Sequence, residues 1–504
     1  MRSKRPLLFI LLSFAATLGC CGCAAGPALP PEGTGALTEA APTASVPAET
    51  APETVPATEP APLPRFDETK IVFSFGAVSD VHINVKATKN KGMFTNALNR
   101  LLAEAAEKDP NGLRGLVVAG DMVTNLSKGD KSANSEISRF AAILSDYKTK
   151  PLGTNVLVAV GNHDTRSALT RQPALKETYL GAEYYAMDVD SNLEKGYRHS
   201  VLSGYHFLIV EPASYGYGTP FDADVLAWLD KTLADLTAKD PSSYVFVVTH
   251  PTVADTTYGS EADFEKGHSR WRTENLGAVL AKYPQVIVFT GHTHTPVFDE
   301  RSIMQTSFTA VNCGSTADTA FELEKYDNMA NDKTQLPVSN GDVSTGLLVQ
   351  IDGGGNVRIT RLLFSEKKEI KTAWELPAPQ ADGSHLTLYT RAAREAANAA
   401  PSLPGPLTLT AGEDRTVSLS LPAGTDDDFV HHYKITVEDA ATGKTVKTVL
   451  ALSDFYARAT AAEMQKTFTY SIKLDKAGSY RILVGAVDSW DAESGAVSAD
   501  VTVS

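Results

Sequence analysis

The stretch Val156-Leu157-Val158-Ala159-Val160-Gly161-Asn162-His163-Asp164 sets the reading of the whole chain. Its first five residues are apolar and mostly β-branched, the pattern of a buried strand. A glycine and three polar groups follow at once. The arrangement recurs four more times. Ile71-Val72-Phe73-Ser74-Phe75 leads to Asp80-Val81-His82, and Leu116-Val117-Val118-Ala119 leads to Gly120-Asp121. Val245-Phe246-Val247-Val248 leads to His250, and Val286-Ile287-Val288-Phe289 leads to Gly291-His292-Thr293-His294. In open α/β sheets ligands gather beyond the carboxyl ends of the strands, where each of these polar groups would lie. Apart from His163 and Asp164, the five motifs supply two Asp, one Asn and four His. Carboxylate, amide and imidazole donors in that number suit two divalent metals held side by side, and such a pair suits phosphoester hydrolysis.

The chain has 504 residues, room for two or three domains, and 43% hydrophobic residues, enough for a substantial core. Its formal net charge of −14 argues against non-specific binding to nucleic acid, which needs a basic surface. A nucleic-acid polymer is therefore not an expected partner. The charge says little about a small substrate, because bound metals invert the local field.

Residues 1–23 read as an export signal. Met1-Arg2-Ser3-Lys4-Arg5 is basic, Leu7 to Leu18 is apolar, and Thr17-Leu18-Gly19-Cys20 follows. This end resembles a bacterial lipobox with Cys20 as the lipidated residue, although Leu18 sits one position later than usual. Cys21 and Cys23 are alternative acceptors, and an ordinary secretory signal is the competing reading. Both place the mature protein outside the cytoplasm, and the first predicts a lipid anchor in the cell membrane. The remaining cysteine, Cys313, follows an apolar stretch and reads as a small buried hydrophobe, so the body has no disulfide framework.

Residues 24–66 are mostly Ala, Pro, Thr and Glu, which cannot bury enough surface to offset the entropy of ordering. They read as a disordered, extended tether. Residues 67–366 alternate strand and helix patterns. Helices are expected near Phe94–Leu102, Ile137–Tyr147, Val225–Leu236 and Leu276–Tyr283, and a hairpin over Leu347–Ile359 closes the domain. Residues 367–404 read as a connecting segment, with one helix near Thr390–Ala399. From 405 to 504 short alternating segments such as Tyr433-Lys434-Ile435-Thr436-Val437 predict a β-sandwich of about seven strands. The end of that region, Ala486-Val487-Asp488-Ser489-Trp490, resembles the last strand of a fibronectin type III domain.

The ordered set D-x-H, G-D, G-N-H-D, H and G-H-x-H resembles the calcineurin-like metallophosphoesterases over roughly residues 70–320. Any one motif is weak, whereas five in order, each after a strand, are specific. The resemblance implies a four-layer α/β/β/α sandwich, followed here by the all-β sandwich. It implies that Asp80, His82 and His294 hold one metal, that Asn162, His250 and His292 hold the other, and that Asp121 bridges them. It makes His163 the catalytic histidine that assists the leaving oxygen, with Asp164 hydrogen-bonded to its ring. Asp80 and His82 point the same way if the backbone between them is extended. The reaction implied is attack on phosphorus by a hydroxide generated on the metals, with a phosphodiester (a cyclic nucleotide among them) or a phosphomonoester as substrate. Purple acid phosphatases place a Tyr after the second motif. Here Asp121 is followed by Met122, which disfavours an iron(III) site and leaves Mn, Fe(II) and Zn open.

Weaker candidates are Asn125, Arg166, His268, Arg270 and Trp271 near the cleft. His199, His206, His431 and His432 read as structural. The C-terminal sandwich is expected to act as a spacer or as a module for cell-wall polysaccharide. The alternative to an enzyme is a surface adhesin or carbohydrate-binding protein that retains a vestigial metal site.

Overall fold

The computed structural model describes residues 65–84, 86, 88–124, 136–165, 180–215, 218–261, 272–321, 325–328 and 343–504. The expected export signal with Cys20, Cys21 and Cys23, the expected tether up to residue 64, and Asn125, Arg166, His268, Arg270 and Trp271 lie outside the described residues.

Alternation along the predicted strands decides the layering. β1 (Ile71–Val78) turns Phe73, Phe75 and Ala77 to one side and Val78 to the other. After it come α1 (Lys89–Lys108), β2 (Gly115–Val118), α2 (Glu136–Ser145) and β3 (Val156–Val158). β4 (Asp188–Asn192), β5 (Tyr197–Leu202), β6 (Tyr205–Val210), α3 (Ala223–Lys239) and β7 (Val245–Val248) continue the chain. Then come β8 (Thr252–Val253), β9 (Arg272–Thr273), α4 (Gly277–Leu280), β10 (Val286–Thr290), β11 (Ile303–Gln305) and β12 (Thr309–Asn312). β13 (Thr345–Asp352), β14 (Val357–Leu363), β15 (Lys368–Glu369) and β16 (Trp374–Leu376) complete this half.

Two seven-stranded sheets result. One has the order β15-β14-β13-β1-β2-β3 with β16 also on β14, and the other is β11-β12-β10-β7-β6-β5-β4. β1, β2 and β3 are parallel in the first, and β6, β7, β10 and β12 are parallel in the second. The sheets meet face to face through aromatic rings. Phe75 of β1 sits 5.2, 5.2 and 5.8 Å from Phe207, Phe246 and Phe289 of the facing sheet, edge-on in each case. Such pairs add about 0.5–1.5 kcal/mol each beyond the burial itself. On the outer face of the first sheet, α1 buries Phe94, Ala97, Leu98, Leu101 and Ala105, spaced three and four apart, while α2 adds Ile137 and Phe140. On the outer face of the second, α3 buries Val225, Leu229 and Leu233. The order of layers is therefore helix, sheet, sheet, helix, as expected. The helix expected over 276–283 is shorter, spanning only Gly277–Leu280.

Two expectations change. The hairpin of β13 and β14 does not merely close the domain: β13 pairs antiparallel with β1 and is interior to its sheet. Residues 367–404 also do more than connect, because β15 and β16 both pair with β14 and extend that sheet past residue 366. Within the segment, α5 (Arg391–Ala397) matches the expected helix.

The C-terminal region has seven strands: β17 (Thr408–Ala411), β18 (Thr416–Pro422), β19 (His432–Asp439), β20 (Thr445–Leu452), β21 (Thr467–Lys473), β22 (Gly478–Val487) and β23 (Val497–Val503). They form a β17-β18-β21 sheet and a β20-β19-β22-β23 sheet, all pairs antiparallel, around Leu419, Ile435, Val437, Phe468, Ile482 and Val484. This sandwich is packed onto the α/β half rather than standing off it as a spacer. Phe429, Phe455 and Tyr456 share one buried cluster with Phe321 and Tyr326. Asn328 pairs with the backbone of β20, its Nδ2 donating to Leu452 O at 3.0 Å and its Oδ1 accepting from Leu452 N at 2.8 Å. His431 and His432 are buried at this junction and His199 and His206 pair on adjacent strands, in keeping with structural roles.

Candidate metal centre

The five motifs converge where the parallel strands of both sheets end. β1, β2 and β3 deliver Asp80 and His82, Asp121, and Asn162 with His163, while β7 and β10 deliver His250, and His292 with His294. The loop after β1 is zipped to the loop after β2, with Val81 N and His82 N donating to Asp121 O at 2.8 and 3.0 Å. The backbone there is not extended, contrary to expectation. Asp80, His82 and Asp121 have φ of 52°, 47° and 52°, and His292 and His294 have 73° and 54°. Non-glycine residues held in the left-handed region cost on the order of 1–3 kcal/mol each and persist where the surroundings fix them. Here the left-handed backbone, not strand pleating, turns the side chains inward.

Three overlapping groups bring their ligand atoms within 4.8 Å of one another: Asp80, His82 and His294; His82, Asp121 and His163; and Asp121, His250 and His292. His294 Nε2 lies 3.0 Å from Asp80 Oδ1 and 3.2 Å from His82 Nε2. His250 Nε2 lies 3.3 Å from Asp121 Oδ2 and 3.2 Å from Asn162 Oδ1. Asp121 Oδ2 also lies 3.8 Å from His82 Nε2, which places this carboxylate between the two sets. The seven expected ligands are thus brought together. His163, which the resemblance does not make a ligand, sits close enough to His82 and Asp121 to share their group.

Glycines make the convergence possible. A Cβ at Gly161 would stand 2.1 Å from Asp121 Oδ1, and one at Gly291 would stand 1.8 Å from Ser79 Oγ and 2.7 Å from Asp80 Oδ2. Asp80 Oδ2 meanwhile accepts from His292 N at 2.9 Å.

The electrostatics call for added positive charge. Asp80 and Asp121 are both buried. Burial alone would raise their carboxyls, but His294 and His250 hold Asp80, and His250 and His82 hold Asp121, well below the usual range. In return, burial pushes His250 down but Asp121 and then Asp80 hold it up at about 9, and His294 is raised by Asp80 and Asp318 in the same way. Protons on those rings thus balance two carboxylates taken out of water. Asp80 Oδ1 is buried and makes no aligned hydrogen bond, although three imidazole nitrogens lie 3.0–4.0 Å away. An orphaned carboxylate oxygen ringed by imidazoles is what a divalent cation would satisfy, so the donor set fits a metal pair.

The expected bond from Asp164 to the His163 ring is corrected. Asp164 is buried and points inward, accepting from Gly161 N at 2.9 Å and Val123 N at 3.1 Å. It stitches the third motif's turn to the loop after β2, because backbone amides in those tight loops have no ladder partner. The His163 ring instead meets Thr124 O through Nδ1 at 2.6 Å, and its backbone N donates to Asp121 Oδ1 at 2.9 Å. His163 is exposed.

Sequence reasoning missed Tyr215 and Asp318. The Tyr215 ring lies 5.9 Å from both the His250 and His292 rings, and its hydroxyl donates to Val160 O. Asp318 Oδ1 faces His294 Nδ1 at 3.4 Å. Neither belongs to a strand-end motif, so no local pattern marks them.

Residues 73–296 match the family model of calcineurin-like phosphoesterases. They form a calcineurin-like phosphoesterase domain. With its Asp and His groups in place, the domain is that of a metal-dependent hydrolase. Among solved structures, the chain is similar to a dimetal phosphatase from Danio rerio at 12% identity and a TM-score of 0.40, over 61% of this chain and 99% of that one. It is also similar to the fibronectin type III domain of the human collagen alpha-1(XX) chain at 27% identity and a TM-score of 0.16, over 21% of this chain and 88% of that one. A two-domain fibronectin type III segment of chicken tenascin matches at 12% identity and a TM-score of 0.15, over 30% of this chain and 66% of that one. No curated protein matches the sequence.

Proposed function

We propose that the protein is an extracytoplasmic, lipid-anchored hydrolase of phosphate esters that works with two divalent metals, Mn, Fe(II) or Zn. The observation that carries the reading is Asp80 Oδ1, a buried oxygen with no aligned hydrogen bond that faces the Nε2 atoms of His82, His250 and His294. Asp80, His82 and His294 would hold one cation, Asn162, His250 and His292 the other, and Asp121 would be shared. Bound there, the pair would supply a nucleophilic water at neutral pH and neutralise phosphoryl oxygens.

The chain's own groups do the rest. A carbonyl can only accept, so Thr124 O fixes the proton on His163 Nδ1 and leaves Nε2 for the substrate. From its exposed position His163 can meet a phosphoryl oxygen or give a proton to the leaving oxygen. Asp164 keeps the turn that carries His163 closed. Mono- and diesters make the same demands on these residues, so the ester preference is left to the assay.

The test is turnover of a nitrophenyl monoester and a bis-nitrophenyl diester by the full chain, stripped of metal and reloaded with Mn, Zn or Fe(II). Turnover that needs metal and falls about 10²–10⁴-fold in His163→Ala is expected, the usual range for a positioned acid or base. Two bound equivalents with no hydrolysis of either ester would favour the carbohydrate-binding alternative. The location rests on the basic and apolar residues before Cys20. Labelled fatty acid should enter the wild type and not Cys20→Ala. Labelling that persists in Cys20→Ala but is lost in Cys21→Ala or Cys23→Ala would move the anchor, and no labelling at all would refute it.

A further inference from the structure

Each histidine that offers Nε2 to the centre needs its Nδ1 held, because the held nitrogen decides which one keeps a lone pair. His250 Nδ1 is held by the Ala119 carbonyl at 2.7 Å. His294 is held differently: its Nδ1 faces Asp318 Oδ1 at 3.4 Å, while its Nε2 faces Asp80 Oδ1 and His82 Nε2. Both carboxylates can only accept, so a cation that takes the Nε2 side, where Asp80 lies, would leave the proton on Nδ1 toward Asp318 and the Nε2 lone pair for the metal.

Asp318 is fixed where it can do this. It follows β12, and its backbone N donates to Ser315 Oγ at 3.1 Å. Ser315 Oγ in turn reaches the Asp80 carbonyl at 3.3 Å, and Ala320 N donates to the His294 carbonyl at 3.0 Å. The short loop is therefore strapped to a ligand residue at each end, which sets the carboxylate's position against the ring. The 3.4 Å separation is at the long end for a hydrogen bond, and ligation at Nε2 would strengthen it by making Nδ1–H a better donor.

We propose that Asp318 is the positioning residue that orients His294 as a metal ligand, holding the Nδ1 proton so that Nε2 faces the cation. This rests on the two-metal reading above. It also gives the loop after β12 a task that no strand-end motif covers.

The test uses the full chain as wild type, Asp318→Ala and Asp318→Asn, each stripped and titrated with Co(II). Calorimetry gives the equivalents and their affinities, and the visible Co(II) spectrum gives the ligand field. The wild type should bind two equivalents. Asp318→Ala should bind one of them roughly 10–100-fold more weakly, the usual loss when an outer partner of a ligand is removed, with a changed spectrum. Asp318→Asn keeps an oxygen that accepts from Nδ1–H and should recover most of that affinity. The Asp318 side chain is 42% exposed, so the alanine variant should fold, which its melting curve checks. Wild-type affinity and spectrum in Asp318→Ala would overturn the proposal. So would an Asn variant as weak as the Ala variant, since net charge rather than orientation would then be at work. Fewer than two equivalents in the wild type would instead overturn the two-metal reading, and this proposal with it.

Discussion

Asp121→Asn is expected to lower metal-dependent turnover about a thousandfold or more, equivalent to about 4 kcal/mol of barrier. The variant should keep the fold and bind at most one metal equivalent tightly. The carboxylate lies between the two ligand sets, 3.3 Å from His250 Nε2 and 3.8 Å from His82 Nε2. Two cations a few ångströms apart repel, and shared negative charge is what lets them coexist. Asn can still accept from His163 N, as Asp121 Oδ1 does at 2.9 Å, so the loop geometry should survive while the charge is lost. Melting curves and metal analysis separate these effects. Two tightly held equivalents and wild-type turnover in Asp121→Asn would refute the bridging role.

Glu300→Ala is expected to destabilise the protein by about 3–5 kcal/mol, the usual result of leaving a buried charge without its partner. Glu300 Oε1 accepts from Arg361 Nη1 at 2.7 Å and lies 3.4 Å from Lys371 Nζ. Its Oε2 accepts from Trp374 Nε1 at 3.0 Å and pairs with Arg394. Arg361 is only 1% exposed, stacks on Trp374 at 4.3 Å, and gives its other amine to Thr372 O at 2.7 Å. Lys371 reaches on to Asp428, at the edge of the sandwich. One carboxylate thus ties the turn before β11 in the second sheet to β14, β16 and α5 around the first, and through Lys371 to the C-terminal region. Removing it leaves a guanidinium buried. Burial alone would raise Glu300, but Arg361, then Lys371 and Arg394, hold it well below the usual range. The sign follows: a depressed acid contributes its full stability above its unfolded pKa near 4.5, and loses it as pH falls toward the depressed value. Urea unfolding at pH 7 should show the loss. Glu300→Ala should also flatten the decline in stability below pH 4.5. Unchanged unfolding midpoints would refute the clasp.

The sandwich follows the same logic. Its buried contacts with Phe321 and Tyr326, and the paired hydrogen bonds of Asn328 with Leu452, join it to the chain that runs on from the Asp318 loop. An independent spacer would need a solvated linker instead, whereas Lys368–Glu369 and Trp374–Leu376 of the connecting segment pair into the first sheet.

The sequence by itself determined the strands that carry the centre and the order in which ligands arrive. Apolar runs such as Val245–Val248 encode burial locally, and the polar residue that follows is fixed by covalent adjacency. That the C-terminal region is a sandwich of about seven strands was legible through two-residue alternation, for the same reason. Only the tertiary structure decided how those ends are aimed. The left-handed backbone at Asp80 and His82 is imposed by hydrogen bonds to the loop after β2, from Asp80 N to Gly120 O and from His82 N to Asp121 O, and no local propensity announces it. Asp164 looked like a partner for its neighbour His163 and turned inward instead, because unpaired amides of Gly161 and Val123 lay within reach. Asp318 and Glu300 were silent in the sequence for one physical reason: a side chain's partner is set by which loops the packed sheets bring together, and that information resides in long-range contacts rather than in neighbouring residues.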